Sequence, residues 1–199
     1  DRGITLSASS RRIFESIDVW SGVAASATPI KSIHVSEQGR FGFTHINAEE
    51  CGFTELGHVV VARELGKALY GKMTTFSNID LICPASLRSF SQLDDGLQLD
   101  LEREGQVETR NCNLLVGADG SRSLVRRLAG INTEEHDYKQ TAIVANITTQ
   151  KPNRATAFER FTPHGPIALL PIDSHRSVLV FTVERDQAVG MLSLSDAEY

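Results

Sequence analysis

The stretch CNLLVGADGSRSLVRRLAG, residues 112–130, decides how the chain is interpreted. Its unbroken apolar run NLLVGA predicts a buried β-strand, and SRSLVRRLAG predicts a helix closed by Gly130. Small residues at a strand end leave room for a ligand, and the first N–H groups of a helix favour a phosphate. The alternative is a simple strand-to-helix turn in which Asp119 caps the helix.

Upstream, the pattern predicts two helices around a hairpin. Residues 9–27 show helical spacing, with Ser9 or Ser10 as N-cap, and VVVARELGKALYG shows the same spacing up to a stop at Gly71. Between them, KSIHVSE and RFGFTHIN predict a β-hairpin joined by Gln38-Gly39.

The remainder of the chain predicts mostly strands. IDLIC predicts a strand, and residues 85–111 predict a three-stranded meander with turns at Asp95-Gly96 and Glu104-Gly105. A β-rich region then follows in TAIVANITT, ATAFERF, PIALLPI and SVLVFTVE, before a helix from Asp186. The interleaving predicts two domains that exchange chain segments.

Composition excludes several classes of protein. A net charge of −5 over 199 residues argues against a general nucleic-acid binder. The six histidines lack ligand spacing, so no metal site is expected, although two of them could converge in space. The three cysteines fit free thiols in a reducing compartment. No apolar run is long enough for a transmembrane segment, which makes the cytoplasm the expected location.

The order of several motifs resembles a known family. DRGITLSASS, LGHVVVARELGKAL, LLVGADGSRSLVR and AFERFTPHGPIALLP follow one another as in FAD-dependent aromatic-ring hydroxylases of the para-hydroxybenzoate hydroxylase type. The segment PIKSIHVSEQGRFGFTHINAEE is most similar to the ubiquinone-biosynthesis branch, the 2-polyprenyl-6-methoxyphenol hydroxylases. The resemblance implies a mixed α/β fold, with a partial dinucleotide-type FAD-binding domain (residues 1–28 and 51–136) interleaved with a β-sheet substrate domain (residues 29–50 and 137–199).

The resemblance also implies site residues, while no residue is assigned as a catalytic acid or base. The implied cofactor-binding residues are Arg2, His58, Arg63, Asp119, Gly120 and Arg126. The implied substrate-binding residues are His164, Gly165, Pro166, Leu169 and Pro171. Three aromatic residues could line a channel for an isoprenoid tail, although core packing is favoured for each: Phe158, Phe161 and Phe181.

The implied activity is hydroxylation of a polyprenylated phenol in ubiquinone biosynthesis, with FAD as cofactor, NAD(P)H as co-substrate and O₂ as oxidant. Two alternatives stay open: a flavoprotein hydroxylase for a small soluble aromatic, and a non-catalytic binding or scaffold module. The expected partners are a lipophilic phenol and other ubiquinone-biosynthesis proteins. Peripheral contact with the inner membrane surface is expected only because such a substrate is lipophilic.

One expected motif does not occur. A flavin domain of this type carries G-x-G-x-x-G after its first strand, and no G-x-G occurs in the 199 residues. We therefore expect the chain to be a central fragment of a longer enzyme. By itself it should bind FAD weakly or not at all and should lack hydroxylase activity.

Overall fold

A computed structural model describes residues 2–195, which form two compact units. The first unit comprises residues 2–77 and 137–195, and the second comprises residues 78–136. Strands and helices are mixed in the chain, which confirms the predicted α/β class. The predicted domain boundaries follow cofactor and substrate roles, and they stay a prediction.

The elements are numbered in chain order. They are β1 (Gly3–Ser7), α1 (Ala8–Ser16), β2 (Thr28–Ile30), β3 (Ser32–Glu37), β4 (Phe43–Asn47), β5 (Gly57–Val61), α2 (Ala62–Met73), β6 (Ser86–Leu93), β7 (Gly96–Arg103), β8 (Gln106–Cys112), α3 (Leu124–Leu128), β9 (Gln140–Thr148), β10 (Thr156–Thr162), β11 (Gly165–Pro171), β12 (Arg176–Glu184) and α4 (Arg185–Leu192). No helix among residues 2–195 has both the length and the apolar character needed to cross a bilayer.

The first unit contains a small antiparallel sheet in the order β1-β5-β2. Successive side chains of a strand point to opposite faces, and β5 buries both of its faces. Val60 packs with Leu6 and Leu65 in the core beneath α1 and α2. Val59 instead packs with Ile30 against the second sheet of the same unit.

That second, large sheet has the strand order β4-β3-β10-β11-β12-β9. Strands β3 and β10 are parallel and every other neighbouring pair is antiparallel. Its inner face, which carries Ile33, Ala157 and Leu170, packs on the small sheet. Its outer face carries the alternate residues, among them His34 and Phe158. The predicted hairpin, the four predicted C-terminal strands and the last helix are confirmed.

Both N-terminal helices differ in length from the prediction. Helix α1 ends at Ser16 because Asp18 adopts a left-handed φ of 54°, after which only short 3₁₀ turns follow. Its N-cap is Ser7, not Ser9 or Ser10, since the Ser7 hydroxyl accepts the Ser10 N–H at 3.2 Å. Helix α2 begins only at Ala62, since residues 59–61 belong to β5, and it continues through Gly71 to Met73, so the predicted stop at Gly71 is wrong as well.

The second unit contains the predicted meander, in the order β6-β7-β8. Its first turn lies one residue earlier than predicted, because Gly96 already pairs with Leu93 as the first residue of β7. Helix α3 is confirmed, and Gly130 closes it with a left-handed φ of 67° and an N–H bond to the Arg127 carbonyl at 3.1 Å.

Two predicted strands are wrong. Residues 79–83 and 113–118 form no strand, and the side chains of Leu114 and Val116 are 76% and 72% exposed. An apolar run becomes a strand only when a neighbouring strand accepts its backbone hydrogen bonds. Among the described residues, no strand pairs with either segment, so sequence character alone does not determine their conformation.

Candidate functional site

Arg2 lies beside the large sheet in the first unit. Its carbonyl accepts the Ala62 N–H at 2.9 Å, which fixes the backbone where β1 begins. Its side chain lines a cavity of about 490 Å³ with residues of β9, including Val144 and Asn146. Val144 is half exposed, so a guanidinium group here stands next to an open apolar strand.

The other two predicted cofactor residues of this unit lie at opposite ends of the small sheet. Arg63 follows Ala62, the residue bonded to Arg2, and its Nε donates to Glu64 at 3.2 Å. His58 pairs in register with Leu6, four residues further along the strands and therefore roughly 13 Å from Arg2. The structure thus groups Arg2 with Arg63 and separates both from His58.

His58 is a buried imidazole in a charged environment. It is 6% exposed, and its ring meets Trp20 edge to face at a centroid distance of 4.9 Å. Its Nε2 lies 3.9 Å from Glu55 Oε1, and Glu55 is ion-paired with Arg11. Its Nδ1 is buried without a hydrogen-bond partner among residues 2–195. A buried polar atom without a partner is uncommon and is able to bind a ligand.

Burial lowers the pKa of His58 below its usual value of 6.5, and the positive charge of Arg11 lowers it further. The Glu55 carboxylate acts in the opposite direction but does not outweigh burial. Hydrogen bonding from Thr54 lowers the pKa of Glu55, with Arg11 as an additional cause. At neutral pH, His58 is therefore a neutral imidazole beside an ionised carboxylate.

The N-cap of helix α3 in the second unit is Ser123, whose hydroxyl accepts the Arg126 N–H at 3.0 Å, and Asp119 accepts further amides at the helix start. One carboxylate oxygen accepts the Leu124 and Val125 amide N–H groups at 2.6 and 3.2 Å, and the other accepts the Ser123 hydroxyl. The Ser123 hydrogen bond is the main cause that lowers the pKa of Asp119, and the two amides add to it. The first amides of α3 are thus hydrogen-bonded to Asp119, although the cap residue is Ser123 and not Asp119 as the turn-and-cap alternative had it. A contact of Asp119 with FAD stays a prediction.

Gly120 and Arg126 belong to the same turn and helix. Gly120 has a left-handed φ of 83°, which permits the turn after Asp119. The Arg126 guanidinium donates to the Ser121 carbonyl at 2.7 Å and lines a cavity of about 460 Å³ together with Arg122 and Arg127. The structure therefore brings Asp119, Gly120 and Arg126 together, within a unit different from that of Arg2, His58 and Arg63.

The predicted substrate residues divide between the two faces of the large sheet. His164 lies in the turn before β11 and lines a polar cavity of about 410 Å³, which also contains the Asp137–Arg185 ion pair at 2.7 Å. Pro166 follows on the inner face, opposite Thr182 of β12. Gly165 is buried where β11 begins, and an added Cβ would stand 2.7 Å from the Thr182 carbonyl oxygen.

Leu169 and Pro171 do not lie beside His164. Both side chains point to the outer face, since residues of β11 alternate, and Leu169 pairs with Phe158. Pro171 is fully buried, so it contributes to packing in this structure. The set runs from His164 to Pro171, which are seven residue steps or about 23 Å apart at strand spacing, and this is too far for the whole set to surround one aromatic ring.

The three aromatic candidates also separate. Phe161 is on the inner face and half exposed, whereas Phe158 and Phe181 are on the outer face. Phe181 packs with Val183 and Met191 beneath α4, in agreement with the preference for core packing. One channel wall formed by all three side chains is therefore excluded.

Sequence reasoning missed two clusters. The first joins Arg11, Glu15, Glu55 and His58 around a cavity of about 220 Å³. The second joins His34 and His45 across the β3–β4 hairpin. The sequence could have revealed the second cluster, because side chains alternate along the two hairpin strands and this alternation predicts both imidazoles on one face.

The residues present fit the chemistry of FAD. The buried Nδ1 of His58 needs a partner, the Arg2 guanidinium can pair with a phosphate or lie against a flavin, and the Asp119 carboxylate can accept a ribose or ribityl hydroxyl. Gly117 lets the Val125 side chain pack against the backbone, since an added Cβ would stand 3.0 Å from Val125 Cβ.

The sequence profile of the FAD binding domain matches residues 1–193. The chain therefore belongs to this FAD-binding family. Among its relatives, the ubiquinone hydroxylase UbiL of Rhodospirillum rubrum is 35% identical over 185 residues, which cover 92% of this chain and 42% of UbiL. The 3-demethoxyubiquinol 3-hydroxylase of Escherichia coli is 28% identical over 179 residues, covering 88% and 44%. The chain spans less than half the length of these two relatives.

A solved structure supports the fold. PqsL of Pseudomonas aeruginosa in complex with 2-aminobenzoylacetate matches 96% of this chain and 53% of its own, with a TM-score of 0.80 and 17% identity. At that identity, the likeness shows the fold alone.

Proposed function

We propose that the chain is part of an FAD-dependent monooxygenase that hydroxylates a polyprenylated phenol in ubiquinone biosynthesis. The observation that carries this proposal is the 35% identity to a ubiquinone hydroxylase over 92% of the chain, within a family that binds FAD. NAD(P)H is the proposed source of electrons. The balance is one phenol, one O₂, one NAD(P)H and one proton giving a hydroxylated phenol, NAD(P)⁺ and water.

In this proposal, the first unit would offer FAD the Arg2 and Arg63 guanidinium groups and the neutral Nδ1 of His58. The second unit, taken by itself, would offer the Asp119 carboxylate as a hydrogen-bond acceptor and Arg126 as a positive charge. FAD, when bound, supplies the redox chemistry and the activation of O₂. The residues of the chain bind the cofactor, orient the phenol and exclude water.

The inner face of the large sheet is the proposed surface for the phenol. One row across it consists of Val35, Glu159, Ala168, Val180 and Val144. Val144 lines the same cavity as Arg2, so this row extends toward the proposed flavin contact. Apolar side chains suit a polyprenylated ring, and Glu159 is the row's single ionisable group.

Glu159 has a distinct electrostatic position in that row. Burial raises the pKa of its carboxyl above the ordinary value, because the charged form loses hydration there. A carboxylate in an apolar row is able to accept a hydrogen bond from a phenol hydroxyl. We assign Glu159 this positioning role within the proposed function.

The full-length gene product provides the test. Oxygen uptake and product formation are measured with FAD and NAD(P)H, comparing a polyprenylated phenol with the same phenol lacking its tail. Hydroxylation with a much lower KM for the tailed phenol supports the proposal. Equal KM values would indicate a hydroxylase for small aromatics, and flavin retention without turnover on either phenol would contradict the proposed reaction.

The lipophilic substrate also leads to a proposed location. We place the enzyme in the cytoplasm with peripheral contact at the inner membrane, together with other ubiquinone-biosynthesis proteins. Flotation of the full-length protein with lipid vesicles tests the membrane contact. Recovery only in the lipid-free fraction would contradict it.

A further inference from the structure

The β3–β4 hairpin brings two imidazole nitrogens into contact. His34 and His45 are directly opposite in the antiparallel register, and His34 Nδ1 lies 2.6 Å from His45 Nε2. At this distance the two nitrogens are bridged either by the hydrogen of an N–H···N hydrogen bond between the two rings or by a metal ion.

Neighbouring aromatic rings hold the pair in position. His34 stacks on Phe43 with a centroid distance of 5.1 Å and an interplanar angle of 28°. On β10, the strand on the other side of β3, the Phe158 ring centroid lies 5.7 Å from that of His34. His45 meets His34 at 4.7 Å in an edge-on arrangement. His45 is exposed and His34 partly so, which leaves an approach from solvent.

The distance required for metal binding is within reach. A zinc–imidazole bond is about 2.0–2.1 Å long, so two imidazoles on one ion hold their nitrogens roughly 3 Å apart. The present separation of 2.6 Å needs to widen by less than about 1 Å. His45 belongs to β4, the edge strand of the large sheet, where such a movement disturbs only one neighbouring strand.

We propose that His34 and His45 form a binding site for a divalent transition-metal ion of the zinc class. Both imidazoles bind through these two nitrogens, and water completes the coordination, because no group of three or more His, Cys, Asp or Glu ligands forms in the described residues. The site ties the edge strand to β3. It goes beyond the proposed flavin chemistry and does not depend on it.

Charged side chains near the His34–His45 pair do not provide a stronger metal ligand than the two imidazoles. On the outer face, Arg160 reaches toward Ser36 on one side of the pair. On the other side, Glu50 accepts a hydrogen bond from Asn47 at 3.1 Å. The Glu50 carboxylate is thus already hydrogen bonded.

Zinc binding to the whole chain tests the site, by competition with a chromophoric chelator at pH 7.5. The wild type is compared with His34→Asn, His45→Asn and a control, His136→Asn. His136 is also exposed, but it lies in the second unit beside Glu134. The melting temperature is measured in each case with and without zinc, because binding to the folded state raises it.

We expect one zinc ion per chain in the wild type and in the control, and binding at least about tenfold weaker in either hairpin variant. Zinc should raise the melting temperature only where it binds. Unchanged affinity in both hairpin variants, or no wild-type binding below about 1 mM zinc, would overturn the site. Melting curves without zinc show whether each variant is folded, so a folding defect is distinguished from a lost ligand.

Discussion

The imidazole of His58 meets the indole of Trp20 edge to face, at a centroid distance of 4.9 Å, inside a core that also contains Val60 and Val23. The contact places a titratable ring where its protonated form is poorly hydrated. Its consequence is a dependence of stability on pH near neutrality.

Stability should fall as the pH drops through the range near 6.5. The folded-state pKa of His58 is lowered, so the unfolded chain takes up a proton before the folded chain does. The free energy of unfolding, measured in urea at pH 7.5 and pH 5.5, should therefore decrease more for the wild type than for His58→Gln. A control variant, His136→Gln, should behave as the wild type. Identical pH dependence in His58→Gln would contradict the assignment.

Two glycines should respond oppositely to alanine. At Gly57 an added Cβ would stand 2.5 Å from the Leu6 carbonyl oxygen, so Gly57→Ala should lower the free energy of unfolding by about 1–3 kcal/mol. Gly71 lies in helix α2 with open space around it, so Gly71→Ala should raise it by roughly 0.5–1 kcal/mol. Urea titration of both variants measures the two signs. An unchanged free energy of unfolding in Gly57→Ala would show that β1 and β5 separate easily.

Removing the carboxylate of Asp119 should loosen the start of helix α3. Asp119 accepts the Leu124 and Val125 amides, so Asp119→Ala should speed hydrogen exchange at those two amides, with a smaller effect for Asp119→Asn. The pKa of Asp119 is lowered, so protection should persist above its ordinary value of 3.8 and be lost as the pH falls through the folded-state pKa. Unchanged exchange at Leu124 in Asp119→Ala would exclude the capping role.

Replacing Glu159 by glutamine should stabilise the fold at pH 7 and weaken the binding of the phenol. Its pKa is raised by burial, so the ionised carboxyl destabilises the fold at pH 7 and Glu159→Gln should raise the free energy of unfolding there. That gain should vanish at pH 4, where both states are largely protonated. The control Glu37→Gln, at a carboxylate 57% exposed and paired with Arg40, should not gain stability. In the full-length enzyme, Glu159→Gln should also raise the KM for the phenol, and an unchanged KM would oppose the positioning role.

Loss of the Arg2 guanidinium should weaken FAD binding. In the full-length gene product, Arg2→Ala should raise the Kd for FAD about 10- to 100-fold, the range for a lost charge-assisted hydrogen bond. The control Arg12→Ala removes an exposed arginine of helix α1 and should leave the Kd unchanged. Flavin fluorescence titration measures both values. An equal rise in the Kd for FAD in both variants would indicate a general effect of charge and not a contact at Arg2.

Local patterns predicted the elements that depend on nearby residues. The β3–β4 hairpin, the β6–β8 meander and the stop at Gly130 each follow from residues within a few positions of the turn. The stretch 113–118 was predicted wrongly because an apolar run does not specify a partner strand. The cluster of Arg11, Glu55 and His58 was missed because Arg11 and Glu55 are 44 residues apart.

The predicted substrate residues show the same limit within one strand. The FTPHGPIALLPI segment was correctly placed in the β-sheet region, but a motif does not state which residues of a strand share a face. Alternation along β11 sends Pro166 to one face and Leu169 to the other. The sequence therefore predicted the strand, whereas only the register shows which of its residues share a face.

The parallel pairing of β3 with β10 joins residues 124 positions apart, as between Ser32 and Thr156. At about 5–20 residues per second, a ribosome needs roughly 6–25 s to add that much chain. During that interval the β3–β4 hairpin is present in the nascent protein while the β3 edge that pairs with β10 is free. Ile33 then lacks Ala157, its neighbour in the sheet. Newly made chains should therefore depend on chaperones until strand β10 has emerged.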